Sequence, residues 1–84
     1  MPTILFIDGW RFYFFANEGS EPIHVHVKKG EKKAKYWLNP ETYEIQEAYS
    51  NYMSPRDRRD VVRMIINNFD YIRREWKKFM EKKS

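Results

Sequence analysis

No cysteine occurs in the 84 residues. A disulfide framework and a thiolate zinc site are therefore both excluded. Long apolar runs are missing as well. The first run, Ile4 to Ile7, is far shorter than the roughly 20 residues that span a bilayer, and too short for the core of a secretory leader. A soluble, cytoplasmic protein without a membrane partner is expected. Repeats and low-complexity segments are absent too. So short a chain buries only about 60% of its unfolded surface. One domain over residues 1–84 is expected, with a thin stability that a partner can raise.

What is present is a real core and a segregated charge. Apolar residues make up 42% of the chain and aromatic residues 18%, which argues against disorder. The net charge is +4. Residues 28–35 carry a net +4, residues 56–83 a net +5, and the remainder a net −5. Two basic zones on an acidic body suit a phosphate-bearing or acidic partner. They are equally what two solvated faces look like.

The pattern along the chain is β, then α. Thr3 to Ile7 and Trp10 to Ala16 flank Asp8-Gly9, a two-residue hairpin signal because both residues tolerate positive φ. This turn pairs Ile7 with Trp10 and Leu5 with Phe12. Both faces of the hairpin are apolar, so one helix cannot cover them. A homodimer or another protein partner is one expectation, and a cover supplied by residues 39–53 is the other. Ile23 to Lys28 alternates: Ile23, Val25 and Val27 point one way, and His24, His26 and Lys28 the other. A turn at Gly30-Glu31 sets Lys29 opposite Lys32, His26 opposite Lys35 and His24 opposite Trp37. Asn39-Pro40-Glu41 reads as a turn and Tyr43 to Tyr49 as a further strand. Ser54-Pro55-Arg56-Asp57 is a helix start with a capping box and proline at the first position. Val61, Ile65, Phe69, Ile72, Trp76 and Phe79 then recur at helical spacing. Their phase runs through Asn67-Asn68, which favours one continuous helix, with a kink or break there as the alternative.

Three readings compete at the two histidines. His24 and His26 lie about 7 Å apart along one strand face. With Glu21 they could move protons as catalytic groups, for instance in RNA cleavage. A metal would need a third ligand, and Lys28, Lys33 and Lys35 on the same face repel a cation, so neither a metal nor a cofactor is expected. The third reading is structural, two partly exposed histidines on a strand. Lys28, Lys33, Lys35 and Trp37 also suit nucleic acid, the lysines meeting phosphates and the indole stacking on a base.

The strings EPIHVHVKKG and AKYWL carry a resemblance. Together with Met1 to Leu5, Gly9 to Phe14, Asn51-Tyr52, Ser54-Pro55 and Trp76, the chain resembles the small prokaryotic domain-of-unknown-function family 4160 (DUF4160). Ile23 stands where that pattern has a second proline, and Met53 where its glycine–aromatic pair would end. The resemblance implies a cognate small protein encoded nearby, the two forming a toxin–antitoxin module. It carries no established catalytic residues.

The expected fold is α+β. A mainly antiparallel sheet of four or five strands carries a long C-terminal helix, continuous or kinked, packed on one face. The expected function is a toxin-like component acting on RNA or translation through the His24, His26 and Lys35 face. The alternative is a non-catalytic module that binds nucleic acid or protein.

Overall fold

The structure, a computed structural model, describes residues 3–15 and 22–83. Five strands form an antiparallel meander: β1 (Thr3–Ile7), β2 (Trp10–Tyr13), β3 (His24–Lys29), β4 (Lys32–Leu38) and β5 (Ile45–Asn51). Two helices follow, α1 (Pro55–Asn67) and α2 (Phe69–Lys83).

Turn chemistry sets the registers. Asp8 and Gly9 have φ of 49° and 85°, the pair of positive values that a type I′ hairpin requires. Ile7 accordingly faces Trp10, and Leu5 faces Phe12. Gly30, at φ 61°, leads the second tight turn. Lys29 pairs with Lys32, His26 with Lys35 and His24 with Trp37, as the alternation predicts. Two bulges depart from simple pairing. Thr3 and Leu5 face the consecutive residues Tyr13 and Phe12, so Ile4 is the extra residue in β1. Lys35 and Tyr36 face Tyr49 and Glu47, so Ala48 is the extra residue in β5. Both bulges sit in edge strands, where the added twist discourages pairing with another sheet. β1 has a second guard, because the Tyr71 hydroxyl donates to the Ile4 carbonyl at 2.9 Å.

One face of the sheet carries the core. Phe12, Val25, Val27, Ala34, Tyr36 and Leu38 meet Val61, Ile65, Phe69 and Ile72 of the helices. Fully burying side chains of this size contributes about 1.5–3 kcal/mol each. Burial and the Glu47 carboxylate push the Tyr36 phenol up to about 12. Glu47 in turn pairs with Arg58 at 3.2 Å.

The continuous helix favoured by the sequence is interrupted at Asn68, and the alternative break holds. Asn68 adopts φ −122° and ψ 20°, and its side-chain amide donates to the Met64 carbonyl at 2.9 Å. Asparagine competes for backbone partners in this way, which disfavours a helix interior. A straight helix over residues 55–83 would exceed about 40 Å, whereas the longest axis of the molecule is 37 Å. The break keeps the apolar stripe of α2 on the sheet.

The expected capping box is present. Asp57 N–H donates to Ser54 Oγ at 3.0 Å, and Ser54 N–H donates to Asp57 Oδ2 at 3.1 Å. Lys32 adds an ion pair to Asp57 at 3.0 Å. The Lys32 ammonium first, then the Ser54 N–H, holds the Asp57 carboxyl below its usual value. A depressed folded pKa contributes stability above the unfolded value of about 3.9 and loses it as pH falls through the folded one. Asp57→Asn should therefore flatten the acid limb of stability below about pH 4, as read from urea midpoints across that range. An unchanged acid limb would remove Asp57 from the account.

Candidate functional site: the sheet face away from the core

Strand side chains that pair directly share a face. The registers therefore fix the composition of the face opposite Val25 and Val27. Its first row crosses all five strands as Phe6, Arg11, Lys28, Lys33 and Asn51. The second reads Tyr13, His26, Lys35 and Tyr49. The third reads His24, Trp37 and Gln46.

Two halves of this face differ in cover. His24 is 0% exposed and His26 3%, which corrects the partly exposed histidines expected from alternation. The cause is non-local. Trp76 of α2 meets Phe14 of the core at 5.1 Å and His24 at 4.9 Å, ring centre to ring centre. So α2 closes this end of the sheet as well as its core face. His26 stacks on Tyr13 at 5.4 Å, meets Phe15 edge-on at 4.4 Å and touches His24 at 5.3 Å. Trp37 flanks His24 on the other side at 5.3 Å. His24 Nδ1 donates to the Pro22 carbonyl at 2.8 Å, which fixes that nitrogen as the protonated one because a carbonyl can only accept. The two imidazoles behave as members of an aromatic cluster.

A general acid or base must come within hydrogen-bond reach of the proton it moves. His24 and His26 are covered in this structure, so a substrate would reach either ring only where that cover moves. Glu21, expected to join them, lies outside the described residues. Among the described residues, no three metal-ligating side chains converge.

The other half is open and basic. Lys28 and Lys33 are exposed and directly opposed, with Arg11 beside Lys28. Like charges directly opposite each other destabilise a sheet. On the helix side Lys32 pairs with Asp57 and Arg58 with Glu47. Neither Lys28 nor Lys33 makes an ion pair among the described residues. Lys35 lies over the Trp37 ring at 4.3 Å, and Arg11 over Tyr13 at 4.8 Å. Both aromatic ends of the face are accessible, with Phe6 68% exposed and Tyr49 42%.

The structure thus brings Lys28, Lys33, Lys35 and Trp37 together as the sequence predicts. It adds Arg11, Phe6, Tyr49 and Gln46. Arg11 and Phe6 were legible as cross-strand neighbours in the first hairpin, but nothing local joins that hairpin to β3. Tyr49 reaches the face through the Ala48 bulge, which has no local sequence signal. Among the described residues, no helix is long and apolar enough to cross a membrane.

No curated protein and no solved structure matches this chain. One family model does, over residues 9–77, and its description is "Domain of unknown function (DUF4160)". That span holds β2 through most of α2, including every lysine and histidine of the face, so the chain belongs to the DUF4160 family.

Proposed function

We propose that this protein binds single-stranded nucleic acid, RNA first among the candidates, on the open half of its sheet, without cleaving it. The observation that carries the reading is the cross-strand row Arg11–Lys28–Lys33 with Lys35 and Trp37 beside it. Cations at strand spacing, about 4.8 Å apart, offer a short track to a phosphate backbone. Exposed aromatic rings at the borders offer faces on which bases stack, at about 1–3 kcal/mol per base. The repulsion between the directly opposed Lys28 and Lys33 is relieved when a polyanion lies across them. Acting on RNA by occupying it is also how the chain would serve a toxin–antitoxin module with a cognate small protein.

The test is the salt dependence of binding to a labelled octauridylate. Four cations on the face, at about 0.7 per neutralised phosphate, give a slope of log affinity against log salt between about −2 and −3. Fluorescence anisotropy reads it directly. A flat slope, or no binding at low salt, would sink the proposal.

A further inference from the structure

An open groove of about 920 Å³ lies where β4 ends and β3 and β5 begin, within the size range of small-ligand sites. Trp37, Ile23, Ile45 and Pro40 give it apolar walls, and Glu44 and Gln46 give it polar atoms. Trp37 belongs at once to this groove and to the basic face, where Lys35 lies against its ring. A strand held on the lysines therefore arrives at the groove without leaving the sheet.

The lining does not suit a phosphate, because Glu44 is a carboxylate. The Thr42 hydroxyl donates to Glu44 Oε1 at 2.9 Å and the Glu44 carbonyl accepts the Asn39 N–H at 2.9 Å, so both the side chain and the backbone of Glu44 are held. An acid in a groove that borders a phosphate-binding face is unfavourable for the backbone of a nucleic acid. It is favourable for a base edge that presents N–H groups. Guanine presents two such donors side by side, N1–H and N2–H, with the O6 acceptor next to them. A carboxylate accepts the pair, and the amide of Gln46 can donate to O6. Adenine would turn its N1 lone pair toward the carboxylate, and uracil offers one N–H between two carbonyls.

From this we infer that the groove is a base subsite that selects guanine from a bound single strand, through Glu44 and Gln46 against the Trp37 wall. The inference rests on the proposed binding face and adds a specificity to it.

Three labelled octanucleotides decide the matter: all uridine, one central guanosine, and one central adenosine. Each is titrated at one fixed salt concentration against wild type and Glu44→Gln. A carboxylate reading two donors discriminates by about tenfold or more. Wild type should therefore bind the guanosine oligomer about tenfold more tightly than the adenosine one. In Glu44→Gln that ratio should fall toward one while all-uridine binding is kept. Equal binding of the guanosine and adenosine oligomers by wild type overturns the subsite and leaves the binding face standing. So does a guanosine preference that survives Glu44→Gln. Failure of all three to bind overturns the face and the subsite together.

Discussion

Replacing His24 and His26 together by alanine should destabilise the domain by several kcal/mol and bring it close to unfolding at 25 °C. The two rings are 0% and 3% exposed, and each fills space between aromatic neighbours. Truncating a buried ring costs on the order of 2–5 kcal/mol, since the transfer energy is lost and a cavity remains. A chain of this length has roughly 4–13 kcal/mol of total stability at 0.05–0.15 kcal/mol per residue. The two losses will not add simply, because the rings touch. His24→Ala also removes the donor to the Pro22 carbonyl, a bond with a net contribution of about 1 kcal/mol. His26→Phe is the informative companion. It keeps a ring against Tyr13 and Phe15 and should cost much less than His26→Ala. Urea unfolding followed by circular dichroism gives all four values. A double variant within about 0.5 kcal/mol of wild type, the range for exposed positions, would contradict the cluster.

That burial is also where sequence reading met its limit. Alternation in β3 correctly sets Val25 apart from His24 and His26, and the Gly30-Glu31 turn fixes their partners as Tyr36, Trp37 and Lys35. Both are local effects, one of pleat geometry and one of backbone φ, so a single sequence carries them. Cover is a long-range property. His24 is shielded by Trp76, far away in the chain, and only because α2 turns at Asn68 and closes the end of the sheet. The helical phase of Val61 through Phe79 predicts which side is apolar, but not where the helix bends. Asn68 is the visible cue, and it is ambiguous, since asparagine in a helix often does no more than face solvent. The apolar outer face of the first hairpin has a similar explanation. Tyr13 is buried through its stack on His26, leaving Phe6 exposed beside Arg11. The basic face was legible because lysines two residues apart on paired strands must align, whatever covers their neighbours.

Reversing two charges on that face should abolish most nucleic-acid binding while leaving the fold intact. Lys28 and Lys33 are exposed, and their side chains make no ion pair among the described residues. Surface substitutions of this kind usually change stability by no more than about 0.5 kcal/mol. Lys28→Glu with Lys33→Glu exchanges one directly opposed like-charge pair for another, so the melting temperature should hold. Binding responds quite differently. Two phosphate contacts disappear and two repulsive ones replace them, and like charges brought together at an interface cost several kcal/mol. A loss of about a hundredfold or more at low salt follows. The milder Lys28→Ala with Lys33→Ala should lower the salt slope by roughly 1.4, at about 0.7 per contact. The control that separates a site from general charge attraction is Arg63→Glu with Arg74→Glu. Both residues are exposed and belong to the helices, and their reversal changes the net charge by the same amount. Compared at about 0.1–0.15 M salt, it should weaken binding only slightly, because charges more than a Debye length away, about 8–10 Å there, are largely screened. If the helix pair weakens binding as much as the sheet pair, the attraction belongs to the whole molecule and the sheet face loses its claim. If the sheet pair alone does so, the row from Arg11 to Lys33 is where the phosphates lie.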